Sequence, residues 1–329
     1  MRLILDTNIW SEIGRRDSRE SLEKLAASRQ WAVQTPPATL LEVLRTPDDD
    51  ALRKIVEVLS SKSWTRLRTE ADQQAAEMVS EVRRTRPEWV LQLPLPGSLA
   101  TYRTEWLKTV WRQARSHPEM MRALSHRVHA PLQEAALKNY EENRTRRLAT
   151  KSDVSDLTHM VVEPTDNSSA EYVAGWRTGD KLEWWRVQAR DVYWHSIRTA
   201  TAVRRSGRNS TDVDWLEPYL DMRRVGASAE EFSKFWFYDV DRVNVPRTWL
   251  RWAVSTAQLM SKITSGSPGD DQLAAYLPDC DIFVTRDKRL ASALELVRKH
   301  SLCPIPEVVR FPKLAESGSA VAALADCIR

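Results

Sequence analysis

Cysteine is scarce, with three in 329 residues at positions 280, 303 and 327, an odd number without metal-type spacing. A disulfide framework or cysteine-ligated zinc is therefore not what organises this chain, and reduced thiols in a cytoplasmic protein are expected. Long apolar runs are missing too. None approaches the ~20 residues that a membrane-spanning helix needs, and the N-terminus enters a strand at once, so neither a membrane span nor a secretory signal is expected. No glycine-rich turn follows that first strand, since DTNIWSEIG (6 to 14) lacks one, which argues against dinucleotide binding of the Rossmann type. Charge of one sign is not in large excess. A net +4 with 29% charged and 42% hydrophobic residues is an ordinary globular mixture, and it gives only weak support for an anionic partner. The six histidines are scattered; His126 and His129 share a helical spacing but have no companion ligand, so a surface or packing role is expected.

The strand and helix patterns that are present alternate. RLILD (2 to 6), WAVQT (31 to 35), WTRLR (64 to 68), DIFVT (281 to 285) and EVVRF (307 to 311) read as strands. TNIWSEIGRR, PPATLLEVLRT, EADQQAAEMVSEVRR and KRLASALELVRKH read as the helices between or after them, and a helical tail ends the chain. Such alternation implies an α/β fold with a parallel five-stranded sheet flanked by helices. At this length roughly two domains are expected. The texture changes from about 87 to 245, where strand-like runs thin out and nine tryptophans gather. The expected organisation is a discontinuous α/β domain from residues 1 to 86 and 246 to 329, interrupted by a mostly helical insertion at 87 to 245. Within it, most tryptophans at helical spacing are expected in the core. Trp184, Trp185 and Trp194, interleaved with Arg186, Arg190 and Arg198, are the candidates for stacking on unpaired bases. The clusters Arg144, Arg146, Arg147 and Arg204, Arg205, Arg208 are candidate phosphate contacts, as against solvated helix faces; Arg83, Arg84 and Arg86 form a third cluster.

Five aspartates crowd the stretch GDDQLAAYLPDCDIFVTRDKRLA (269 to 291) around a run that reads as buried strand. In an open α/β sheet the working site lies outside the carboxyl ends of the strands. Asp6 ends the first strand, Glu42 lies on the helix after the second, Asp270 opens the helix before DIFVT, and Asp287 follows that strand by two residues. Each has a plain alternative: aspartate at a helix start caps free amides, which covers Asp6, Asp270 and Asp287, and Glu42 reads equally as an exposed helical residue. Together they are expected at one edge. Asp279 and Asp281 are read as turn residues.

LILDTNIW, LLEVLRT and GDDQLAAYLPDCDIFVTRDKRL resemble the motifs of the PIN domain, a metal-dependent nuclease fold. The resemblance covers roughly 1 to 86 and 246 to 311 and leaves out the insertion. It implies Asp6, Glu42, Asp270 and Asp287 as the acidic cluster, with Asn8 and Thr285 supporting it by hydrogen bonding. Asp270 is preferred to Asp271 because Ala274 and Ala275 then fall in register. Converging carboxylates suit Mg²⁺ or Mn²⁺, so the implied activity is phosphodiester hydrolysis. RNA is the substrate implied by the family, and an antitoxin-type regulatory protein is a further implied partner, although this chain is much longer than compact toxins. The alternative is a non-catalytic PIN-like scaffold that binds RNA or a protein through the Trp/Arg-rich insertion. A haloacid-dehalogenase-type phosphatase would need an acid where Asn8 stands.

Overall fold

The computed structural model describes residues 1–150, 156–205, 211–259 and 267–328, with some helical side chains between 129 and 150, and at 201–205, 211, 267 and 268, left undescribed. Two compact units emerge, one from Met1–Thr69, Arg103–Ser152 and Val254–Arg329, the other from Glu70–Tyr102 and Asp153–Ala253. This division differs from the sequence boundaries near 86 and 246. Residues 103 to 152 join the first unit, because Val110, Trp111, Ala114 and Met121 pack into the same apolar core as the sheet residues Leu3, Leu5 and Val284. Residues 70 to 85 join the second.

The first unit is built on the strands β1 (Arg2–Leu5), β2 (Ala32–Thr35), β3 (Thr65–Arg66), β6 (Ile282–Thr285) and β7 (Glu307–Arg310). They form one sheet in the order β3-β2-β1-β6-β7, and every pairing is parallel. Register sets Leu3 beside Val33 and Ile282, so these apolar side chains share one face. That face is covered by α1 (Thr7–Arg16), α2 (Arg19–Ser28) and α4 (Asp49–Leu59), whose buried Ile9, Trp10, Ile13, Leu22, Leu52 and Ile55 complete the core. On the opposite face, Phe283 lines a cleft with Leu273, Leu277 and Leu290. Burial of all four residues of IFVT follows from cover on both faces. The edges are blunt: β3 is two residues long, and β7 carries exposed Glu307 and Arg310 at its ends. Sequence had given β3 five residues; only Thr65 and Arg66 pair with β2.

The second unit is mainly helical, including α5 (Glu70–Thr85) and the Trp184–Arg205 helix, with a small antiparallel pair β4 (Val161–Val162) and β5 (Leu182–Glu183). Aromatic packing fills it. Tyr193 stacks on Trp236 at 5.2 Å, and Trp89 leans on Phe235 at 5.6 Å. Trp185 and Trp194 are buried here, so two of the three base-stacking candidates are core residues. The Trp194 indole donates to Glu171 Oε1 at 2.6 Å. Trp184 is half-buried and meets Trp252 edge-on. The interleaved arginines are also engaged: Arg186 donates to the carbonyls of Trp236 and Val240, and Arg190 to Ser233 Oγ and the Glu171 carbonyl. Arg84 grips buried Glu81, and Arg86 pairs with Asp239 at 2.6 Å. Among the described residues, no helix is long and apolar enough to cross a membrane.

Candidate metal centre

Parallel pairing of β1 with β6 brings residues almost the whole chain apart to one sheet edge. Leu5 sits beside Val284, and the Asp6 amide donates to the Val284 carbonyl at 2.9 Å. Asp6 is then the N-cap of α1, with extended backbone at φ −65° and ψ 156°, and its Oδ1 accepts from the Thr7 amide at 2.7 Å. Its Oδ2 accepts from Thr285 Oγ1 at 2.5 Å and from the Asn8 carboxamide. Asn8 Oδ1 in turn accepts from the Arg286 amide at 3.1 Å, and Thr285 Oγ1 from the Asp287 amide at 3.0 Å. Asn8 and Thr285 thus stand where the sequence placed them, as clamps on Asp6. They fix the carboxylate and knit the start of α1 to the end of β6.

Glu42 lies in the last turn of α3 (Pro37–Val43), a short helix opened by proline. Its Oε2 accepts from Thr7 Oγ1 at 2.7 Å, so Thr7 bonds Asp6 with its amide and Glu42 with its hydroxyl. A Cβ built on Gly269 would lie 3.5 Å from that same oxygen. The backbone that opens the Ser267–Ala274 helix therefore passes directly beside Glu42, and Asp270 is the next residue along it. Gln258 Nε2 donates to Asp270 Oδ2 at 2.7 Å. Asp287 caps the Lys288–His300 helix, its Oδ1 accepting from the Arg289 and Leu290 amides at 2.7 and 3.1 Å. Asp6 and Asp287 are both helix caps, as the plain alternative expected.

Burial and neighbouring charges act together on Asp6, Glu42 and Asp270. Burial, and then the Glu42 charge, push the Asp6 carboxyl up to about 7. Burial, then the charges of Asp6, Glu42 and Asp287 against the one opposing Gln258 bond, push Asp270 up to about 8. Glu42 is raised by burial, opposed by the Thr7 bond and the Arg45 charge. By contrast Asp281 stands at the amino edge, where it accepts from Arg2 and forms an ion pair at 2.7 Å. It ties the start of β1 to the start of β6, as a structural residue. Asp279 ends the short Leu277–Asp279 turn.

Among the described residues, no three His, Cys, Asp or Glu side chains stand at metal-ligand spacing. This is compatible with the mutual pKa effects, since charges interact well beyond ligand distance. Carboxylate oxygens are the kind of donor that a hard, hydrated cation takes. Mg²⁺-type ions keep several waters and take only one or two carboxylates directly. Gln258 Oε1 is buried with no donor among the described residues, an acceptor that a metal-bound water could satisfy. Asp6, Glu42, Asp270 and Asp287 are the residues that would hold such an ion.

Two participants escaped sequence reasoning. Thr7 sits inside the LDTN motif, where its link to Glu42 was discoverable only as a spare hydroxyl. Gln258 carries no local signal. Of the arginine candidates, Arg144 is half-buried on the Pro118–Thr150 helix, whereas the side chains of Arg146, Arg147, Arg204 and Arg205, and all of Arg208, lie outside the described residues. Comparison with family models, with curated proteins and with solved structures returns no match.

Proposed function

We propose that this protein is a divalent-metal-dependent, PIN-like endonuclease that hydrolyses phosphodiester bonds in RNA. The observation that carries the reading is the set of carboxylates at the carboxyl edge of a parallel sheet, Asp6 buried, Glu42 and Asp270 half-buried and Asp287 exposed, with Asp6 raised to about 7 and Asp270 to about 8. Carboxylates in that setting are destabilised when charged, and a cation among them removes the penalty. Mg²⁺ or Mn²⁺ bound there would supply an activated water and charge stabilisation at phosphorus. The chain itself supplies orientation. Thr285, Asn8 and the Thr7 amide hold Asp6, the Thr7 hydroxyl holds Glu42, Gln258 holds Asp270, and the helix start holds Asp287. RNA as substrate rests on the resemblance of the three motifs to PIN domains.

The test is incubation of purified protein with a panel of RNAs and single-stranded DNAs, in Mn²⁺ or EDTA, with mapping of product ends. Metal-dependent RNA cleavage that Asp6→Asn abolishes is the expected result. A second reading, a PIN-like scaffold that binds without cutting, draws on the absence of three preformed ligands among the described residues. Metal-induced stabilisation without products would favour it.

A further inference from the structure

A second cluster of unmatched groups lies in the first unit, on the outer strand of the sheet. Arg66 ends β3, and its guanidinium lies over the Trp111 ring, 5.4 Å from the centroid. One of its nitrogens donates to the Leu107 carbonyl at 2.9 Å. Arg115 stands one turn beyond Trp111 on the Val110–Ser116 helix, so the two side chains share a face. Its Nε donates to Ser60 Oγ at 3.0 Å, whereas its Nη2 is buried with no acceptor among the described residues. The Trp111 indole N–H is also buried without an acceptor among the described residues, as are those of Trp185, Trp236, Trp249 and Trp252. The nearest carboxylate along the chain, Glu119, is engaged by Arg53 at 2.6 Å.

Two cations that repel each other, with buried donors left open, are costly unless an acceptor joins them. Burial and then the Arg115 charge hold the Arg66 guanidinium below its usual value, the direction expected where no anion compensates. A carboxylate offers two oxygens to this set of donors. A phosphate group offers more, and arginine forks match its geometry. We propose that Arg66, Arg115 and Trp111 form a binding site for a phosphate group, made of residues other than the four acids and independent of metal.

The test uses the full chain in EDTA, titrated with inorganic phosphate against chloride at equal ionic strength, followed by melting temperature and calorimetry. Phosphate should stabilise the parent specifically. Arg115→Gln and Arg66→Gln should each weaken phosphate binding roughly 10- to 100-fold, the range for a hydrogen bond to a charged group. Trp111→Phe removes the N–H together with part of the indole, so its melting temperature without phosphate is measured beside its phosphate affinity, and weaker binding by a folded variant is the expected result. Arg29→Gln, an exposed arginine outside the cluster, should leave phosphate affinity unchanged. A single-stranded oligoribonucleotide then identifies the source: competition with phosphate assigns the group to a nucleic-acid strand, and binding of phosphate without competition assigns it to a free phosphate compound. Absence of any phosphate effect beyond chloride overturns the site, and so does equal affinity in the parent, Arg115→Gln and Trp111→Phe.

Discussion

Asp6 carries two duties that a substitution can separate. Asparagine caps a helix about as well as aspartate, so Asp6→Asn, Asp270→Asn and Asp287→Asn are expected to stay folded, while each loses most cleavage and most of the Mn²⁺-induced rise in melting temperature. Asp281→Asn, which touches only Arg2 and the amino edge, should leave both intact. Equal behaviour of all four variants would return the acids to plain caps. Thr285→Val removes one donor from a buried carboxylate; by analogy with other groups that orient metal ligands, it should weaken Mn²⁺ binding by about 10- to 100-fold, read by calorimetry. The metal-free protein should also depend on pH in a defined direction. An unfolded aspartate titrates near 4 (about 3.9), whereas Asp6 and Asp270 are raised to about 7 and 8. The native state therefore holds protons that the unfolded chain has released. The stability this confers is full below about pH 4 and is lost as pH rises through 7 to 8. Melting temperature in EDTA should fall across that window, Asp270→Asn should flatten the fall, and Mg²⁺ should oppose it at pH 8. A flat profile in the parent would contradict the mutual repulsion of these acids.

At the scale of elements, the site depends on how tightly α1 is held, since its first turn carries Asp6, Thr7 and Asn8. α1 crosses α4 at Gly14, where an added Cβ would come within 2.7 Å of the Ile55 Cα and 2.9 Å of its backbone nitrogen. That neighbour is backbone and cannot swing aside. Gly14→Ala should therefore destabilise by about 1–3 kcal/mol, the cost of overpacking, measured by denaturant unfolding. Unchanged stability would mean that the two helices can separate without cost. The far end of α1 is fixed as well: Arg16 donates to the Ala315 and Glu316 carbonyls, and Asp17 accepts from the Ala320 amide at the start of the Ala320–Cys327 helix. The helical tail expected from sequence thus has a role in seating the first turn of the chain.

Across the whole molecule, the modest net charge of +4 conceals where cations are left unmatched. Arg84, Arg86, Arg186 and Arg190 are committed to internal partners in the second unit. Arg66 and Arg115, by contrast, have no ion-pair partner among the described residues. Binding of an RNA strand should weaken linearly in log salt as condensed counterions are released. Each phosphate-contacting cation contributes roughly one to that slope, so the double variant Arg66→Gln, Arg115→Gln should flatten it by about two. An unchanged slope would place the phosphate of that cluster on a small molecule.

The sequence by itself determined the alternation of strands and helices and the parallel sheet it implies, and it marked four acids with Asn8 and Thr285 as candidates. These are written in local period and in residues at strand ends, where pairing of short buried runs leaves little freedom of register. Sequence could not limit β3 to Thr65 and Arg66, nor assign 103 to 152 to the sheet unit, because apolar helix faces do not name the surface they will cover. It could not tell that Trp185 and Trp194 would be buried, since helical spacing looks the same in a core and at a binding face. Nor could it find Gln258 beside Asp270 or Arg66 beside Arg115. Such pairs are made when packing brings distant helices and strands together, and only the tertiary structure decides whether a buried charge there meets its opposite, its like, or an open space for a ligand.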